Sequence, residues 1–299
     1  AGGNVACVVG KDAYLTMEKG LLHDSNMEVD VPVAACTEVN DVKDVQSEKD
    51  LRNIPLKHVG IKGLRWPIEL RDKARGTQHS VAVVTLAVDL PHDMRGTHMS
   101  RFVECLRTLG PVGLADVEAI LDQLKQHLQA ERAFIELKFP YFVTKKAPVS
   151  GMEAPMDIDC VYKAEKGEKL RWRITAVVPV QTLCPCSKEI SEYGAHNQRA
   201  WAKLEVEAQE MVWLEELVEY AEASASTPLY GLLKRPDEKY VTEHAYENPR
   251  FVEDAVREVA LRLEADKRIT WYRAEVESME SIHNHNAFAV VEKGENECY

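Results

Sequence analysis

The sequence predicts an α+β fold made of two tandem ββααββ modules, and three observations lead there. Strand-like and helix-like segments follow one another in the same order in both halves of the chain. At 45% hydrophobic and 29% charged residues, the composition is that of an ordinary globular protein rather than a disordered or fibrous one. The length, 299 residues, exceeds the usual ~100–200 residues of one domain, so one large or two modest domains are expected.

The elements follow in order. Residues 1–45 show neither a basic start with an apolar core nor an Arg-rich amphipathic pattern, so no targeting signal is expected and the segment reads as a flexible leader. A first module is assigned to 46–166. It opens with strands at 64–71 and 79–90, the second with Val81, Val83, Thr85 and Ala87 on one face. Helices follow at 100–109, carrying Phe102, Val103 and Leu106, and at 114–128, carrying Val117, Ile120, Leu121, Leu124 and Leu128 at helical spacing. Strands at 133–143 and 155–165 complete it.

The second module, 167–299, repeats the order. Strands are expected at 169–180 and 200–209, then a helix at 212–224 with Leu214, Leu217, Val218 and Ala221 inward. Asn248 and Pro249 supply an N-cap and a first-turn proline for a helix reaching 266, with Val252, Val256, Val259 and Leu263 as its stripe. Strands at 269–278 and 286–293 close the unit. The helices should lie on one face of antiparallel sheets. The competing account is that two α+β halves match by chance, because so few elements allow it. Small antiparallel sheets leave open edges, and closing a barrel across subunits removes them, so an oligomer is expected.

Composition also excludes partners. Acidic residues outnumber basic ones 49 to 37, a net charge of −12, the reverse of a nucleic-acid binder's footprint. No apolar run approaches the ~18 residues of a membrane-spanning helix, so no membrane partner is expected. An anionic ligand would need local cations or helix ends to overcome the acidic background. Seven cysteines scattered at positions 7, 36, 105, 160, 184, 186 and 298 form no disulfide framework, which favours a reducing, cytoplasmic setting. Only Cys184 and Cys186 lie close together. They stand in a polar segment suited to ligands or nucleophiles, while the other five read as plain packing thiols.

Three stretches of the second half carry chemistry. The first is Leu183-Cys184-Pro185-Cys186-Ser187-Lys188-Glu189-Ile190-Ser191 with Gly194-Ala195-His196-Asn197, on the long connection between the first two strands of the module. Cys184 and His196 can converge there on one metal ion. No further Cys or His pair follows at the interval of a structural zinc site, so an open catalytic site fits better. A buried free thiol beside an unrelated histidine, or a redox pair, are the alternatives. The second stretch, 230–240, places a carboxylate among Lys234, Arg235 and Lys239, where its charged form is favoured, or where the cations meet an anionic substrate; taken alone, the stretch reads first as a plain solvated loop. Glu253, early in the Pro249 helix, is either a helix stabiliser or, if buried, an acceptor for the two parallel N–H groups of a guanine or pterin edge. The third stretch, Glu280-Ser281-Ile282-His283-Asn284-His285, puts His283 and His285 on one face of an extended segment, suited to proton transfer unless they are only surface histidines.

These three strings, together with Gly96-Thr97-His98-Met99-Ser100-Arg101-Phe102 and Ala147-Pro148-Val149-Ser150-Gly151, strongly resemble the type IB GTP cyclohydrolase I family from about residue 44 to 293. The resemblance implies a tunnelling fold, with two ββααββ modules per chain and antiparallel sheets closing barrels across the subunits of a homotetramer whose active sites sit at interfaces. It implies that GTP and water give 7,8-dihydroneopterin triphosphate and formate, the entry to folate-type pterins. It implies Cys184, His196 and Glu238 as ligands of one divalent metal ion per site and Glu253 as the guanine anchor, with Glu280, His283 and His285 lining the same pocket. Cys186 has an open role there, as support for the ligands, alternate ligand or redox-sensitive thiol.

Chemistry makes that assignment intelligible. Three protein ligands leave a coordination position for water, whose pKa a metal lowers towards ~7. The mixed sulfur, nitrogen and oxygen set suits Zn, Mn or Fe. The triphosphate needs cations, with Lys188, Arg199, Lys234, Arg235 and Lys239 as candidates, or Arg101 near a helix start in the first module of a neighbouring subunit; His98 is either a phosphate contact or a simple helix-start residue. Two other functions stay open: nitrile reduction on a deazapurine through a cysteine nucleophile, within the same fold, and a non-catalytic purine- or pterin-binding protein.

Overall fold

A computed structural model describes residues 44–46, 48–109 and 111–294. The leader assigned to 1–45 therefore falls almost wholly outside the described residues, as do Cys7, Cys36 and Cys298. Alternating apolar side chains drive the first hairpin, β1 (Leu56–Asp72) and β2 (Gly76–Leu90), which pair antiparallel over nearly their full length. Their turn is closed by Asp72, whose Oδ1 accepts the N–H groups of Ala74 at 2.9 Å and Arg75 at 2.7 Å. Gly76 follows with φ +84°, a conformation that favours glycine. Then come α1 (Met99–Leu106), β3 (Pro111–Val112), α2 (Leu114–Leu128), β4 (Ala133–Lys146) and β5 (Glu153–Lys166).

The second half contains β6 (Leu170–Leu183), α3 (Pro185–Ile190), β7 (Asn197–Ala208), α4 (Leu214–Glu222), β8 (Thr227–Pro228), α5 (Arg235–Glu247), α6 (Val252–Ala265), β9 (Ile269–Ser278) and β10 (Ala287–Lys293). The long strands make one continuous sheet in the order β10-β9-β7-β6-β5-β4-β2-β1, antiparallel throughout, with β3 and β8 as short additions beside β1 and β6. The two halves thus share a spatial order, β1-β2-β4-β5 and β6-β7-β9-β10, joined where β5 pairs with β6.

One face of this sheet is the core. Directly paired positions Val84, Leu137, Tyr162, Ile174, Val206 and Tyr272 run across it as a buried row. The apolar stripes of α2, α4 and α6 fall in the same contiguous cluster, so the helices cover that face. The opposite face carries charge pairs such as Lys138–Glu136 at 3.0 Å and Arg173–Glu207 at 3.2 Å.

Several expectations change. Val81 and Val83 lie on the outward face of β2, and Ala82, Val84, Leu86 and Val88 are the core residues. Both sets are apolar, so alternation alone cannot say which set packs. Val103 is exposed and Cys105 takes its place against the core beside Phe102 and Leu106. The stretch 230–240, read as a loop, contains the start of α5, which runs from Arg235 to Glu247; only Asp237 and Ala245 are buried in it, so it has no apolar stripe to betray it. Asn248 does not cap the following helix. It ends α5, and its side-chain amide donates to the carbonyls of Ala225 and Ser226, both at 3.1 Å. α6 instead starts at Val252, where Asp254 accepts the Phe251 N–H at 3.0 Å.

Candidate active-site cleft

The site grows from the open end of the β6–β7 hairpin. Its last strand pair is Leu183 with Asn197, and one more backbone bond, Cys184 N–H to His196 C=O at 3.1 Å, brings the thiol and imidazole residues side by side. Between them the polar loop winds into α3, with Pro185 at its start and the Cys184 sulfur accepting the Ser187 N–H at 3.4 Å. The Ser187 hydroxyl accepts the His196 N–H at 3.1 Å and donates to the Cys184 carbonyl at 3.2 Å, bracing the two residues against each other.

Neighbouring elements deliver the rest. Leu183 accepts the Arg250 N–H at 3.0 Å through its carbonyl, which anchors the start of α6 and with it Glu253 beside the hairpin end. β9 pairs with β7 as far as Ala200 and Ser278, so the residues after β9 emerge next to Gln198. There the Gln198 amide nitrogen lies 3.3 Å from Glu280 Oε1 and 3.2 Å from Thr182 Oγ1. Its oxygen lies 2.9 Å from His196 Nδ1 and accepts the Ser281 hydroxyl at 3.3 Å. His283 and His285 follow in the bent connection to β10 rather than on an extended strand, with rings stacked 5.1 Å apart at 17°.

One cleft of about 510 Å³ collects Cys184, His196, Glu253, Glu280, His283 and His285 in its lining. Six of the residues singled out from the sequence therefore share one cavity. Glu253 is exposed there, not buried as the base-anchor argument required. The others stand elsewhere. Glu238 is exposed in the first turn of α5, outside the cleft lining, and among the described residues no three His, Cys, Asp or Glu side chains are grouped to hold a metal ion. Cys186 is exposed on α3. Lys188 donates to the Tyr246 carbonyl at 2.5 Å, Lys239 pairs with Glu243 at 2.6 Å, and Arg235 is exposed at the start of α5. His98 and Arg101 line a separate pocket of about 200 Å³ with Asp44. His98 Nε2 is 3.3 Å from Asp44 there, and Arg101 donates to the His127 carbonyl at 2.6 Å.

Three residues were missed. Gln198 sits two positions after His196 on β7, a strand glutamine with no motif to mark it. Arg250 brings a guanidinium to the cleft; its Nε is buried and has no hydrogen-bond partner among the described residues. Asp237 is fully buried, and its carboxylate accepts the N–H groups of Val149, Ser150 and Lys234, each at 2.8 Å, and the Ser150 hydroxyl at 2.7 Å. Burial alone would push its pKa up. The hydrogen bonds from Ser150, Lys234 and Val149 overcome that and hold it well below the usual carboxylate range. Asp237 thereby fastens the start of α5, including Glu238, to the β4–β5 connection. The remaining thiols differ in kind: Cys105 and Cys160 are buried, and burial pushes both of them up.

A family model described as type I GTP cyclohydrolase FolE2 matches residues 42–289. Among known relatives, GTP cyclohydrolase FolE2 of Caldicellulosiruptor saccharolyticus is 57% identical over 253 residues, covering 85% of this chain and 98% of that protein. GTP cyclohydrolase FolE2 of Thermotoga maritima is 57% identical over 254 residues, with the same coverage of each. Among solved structures, uricase from Arthrobacter globiformis overlaps with a TM-score of 0.46 at 8% identity, over 81% of this chain and 95% of that one. A cyclohydrolase is thus the class of protein that these relatives define. More closely, the chain belongs to the type I GTP cyclohydrolase FolE2 family.

Proposed function

We propose that this chain is a GTP cyclohydrolase I that converts GTP and water to 7,8-dihydroneopterin triphosphate and formate, the first step of folate-type pterin synthesis, with a divalent metal ion in the 510 Å³ cleft. Family membership and relatives named GTP cyclohydrolase FolE2 support the reaction. The observation that supports this location is the gathering of a thiol, three imidazoles and two carboxylates from three separate elements into one cavity.

The donor set fits a metal in part. Cys184 and His196, braced through Ser187, are the two ligands the cleft supplies, and Glu238 is the carboxylate proposed for the third position. Zn, Mn and Fe all accept such a set, and the bound ion would supply Lewis-acid activation of water. Glu253, exposed at the cleft rather than buried, is the carboxylate proposed to take the guanine edge through paired N–H bonds and so to fix where C8 lies, an orientation effect. The stacked His283 and His285 move protons during ring opening, loss of C8 and reclosure. Arg250 is the cation the cleft offers to an anionic part of the substrate.

The proposal extends to a cytoplasmic homotetramer built on a two-module tunnelling fold, with Lys188, Arg235, Lys239, His98 and Arg101 reaching substrate at subunit interfaces. The outer edge of β10, which pairs with no strand among the described residues and along which Phe288 and Val290 are exposed, supports assembly by edge closure. Incubation with GTP tests the activity, and formate release in step with pterin fluorescence is expected. Binding of GTP with no formate would sink it.

A further inference from the structure

The contacts around Gln198 have a polarity that can be worked out. A carboxylate only accepts hydrogen bonds, so Glu280 Oε1, 3.3 Å away, requires the Gln198 amide to present its NH2 end. That leaves the amide oxygen facing His196 Nδ1 at 2.9 Å, with the Ser281 hydroxyl donating to the same oxygen at 3.3 Å. An oxygen there can only accept, so His196 donates through Nδ1, and Nε2 is the ring nitrogen left to offer a lone pair in the neutral imidazole. Thr182 fits the same sense: its hydroxyl accepts from the amide nitrogen at 3.2 Å and is itself 3.2 Å from the Ser278 hydroxyl. Every member of the chain Glu280, Gln198, His196 has one consistent direction.

We propose that Gln198 is a positioning residue, which transmits the negative charge of Glu280 to His196 and fixes Nε2 as the nitrogen that faces a metal. The proposal deepens the metal reading above and rests on it. Glu280 then has a task that does not require it to touch substrate: it sets which way the amide points. The arrangement is the amide-relayed counterpart of a carboxylate held against the far nitrogen of a ligating histidine, where the outer partner orients the ring and raises its basicity.

The test is zinc affinity of the full-length protein, read by competition with a chromophoric chelator, with thermal unfolding of each variant as the control for folding. Gln198→Met keeps the length of the side chain and removes both ends of the relay. It should bind zinc about 10–100-fold more weakly than wild type, the usual cost of losing an outer partner of a ligand. The double variant Gln198→Glu with Glu280→Gln exchanges donor and acceptor between the two positions while still offering His196 an oxygen. It should recover most of the lost affinity. Gln198→Met with wild-type affinity overturns the proposal, and so does a folded double variant as weak as Gln198→Met. His196→Ala separates this outcome from failure of the metal reading. If His196→Ala loses zinc while Gln198→Met keeps it, the relay alone is wrong. If His196→Ala keeps its zinc, the metal reading is wrong and the relay falls with it.

Discussion

The hairpin ends β1–β2 and β6–β7 occupy corresponding places in the two halves of the sheet and have been put to opposite uses. In the first, strand pairing runs to Asp72 and Gly76, three residues make the turn, and the polar groups are turned to structure. Asp72 holds the turn, the Lys73 N–H donates to Glu215 at 2.8 Å, and the Lys73 ammonium meets Glu216 at 3.2 Å. In the second, pairing stops at Leu183 and Asn197, and a long polar loop follows. Several backbone bonds brace it, and Cys184 and His196 line a cavity. The connections after β4 and β9 repeat the contrast. Residues 147–152 receive a structural clamp from Asp237, whereas 279–286 carry Glu280 and the histidine pair. The same sheet thus supports both ends, and it is the second-half connections that leave reactive side chain types at a cavity.

That contrast is broken most severely at Cys184. Cys184→Ala should remove metal and lower GTP turnover by roughly 10³-fold, the several kcal/mol a metal contributes to a transition state. The fold should survive, because the thiol is half-buried at the hairpin end and the Cys184 backbone bond to His196 remains. Metal analysis beside a formate assay checks it, and a variant that retains stoichiometric metal removes Cys184 from the ligand set. Glu253→Gln comes next. It should keep its metal and raise the KM for GTP about 10–100-fold, since an amide sets a donor against a donor where a charged bond worth about 1.5–3 kcal/mol stood. Unchanged KM would show that the base is held elsewhere.

The legibility of the chain follows from the same contrast. Strands and the three long amphipathic helices announce themselves because their partners are apolar and periodic: the α2 stripe, with Ile120 and Leu124, and the α6 stripe, with Val256 and Leu263, are buried where expected. α5 is invisible to that signal because it is held at its start by one buried carboxylate, Asp237, and not by a stripe. The cleft histidines, thiol and acids are legible because their side-chain chemistry is rare in such patterns. Gln198 and Arg250 are not. Their importance comes from pairing β7 with β9 and docking α6 on Leu183, relations between distant segments that no local pattern contains. Similarly, β2 is apolar on both faces, so Val81 and Ala82 cannot be told apart until a helix is seen to cover one of them.

Asp237 sharpens the comparison from the structural side, through pH. Its folded pKa is depressed relative to the ordinary 3.8, so its contribution to stability is complete above that value and is lost as pH falls through it towards the lower folded value. Asp237→Asn should therefore be less stable than wild type at neutral pH, and the gap should narrow as the solution is taken below about pH 4, where the carboxylate takes up a proton in the unfolded chain while the folded one still resists it. Urea unfolding at a series of pH values measures the gap. A gap independent of pH would mean that shape, not charge, clamps α5 to the 147–152 connection. Weaker metal binding in the same variant would show that the clamp also serves Glu238.

The smallest effect belongs to Asp72, and it is the cleanest check on the division of labour. Asp72→Ala deletes the acceptor for the Ala74 and Arg75 N–H groups and for the Gln78 side chain at 2.9 Å. The two backbone groups lie at an exposed turn, where water replaces the lost acceptor in part, so the loss should be about 1–2 kcal/mol. Chemical denaturation reads it directly. Because this hairpin end lends no group to the cleft, kcat and KM for GTP should stay within about twofold of wild type at temperatures well below unfolding, the range expected of sites with no shared partners. A large fall in kcat with the small loss of stability would show that the first-half turn takes part in the reaction, and the assignment of structure to one half and chemistry to the other would have to be redrawn.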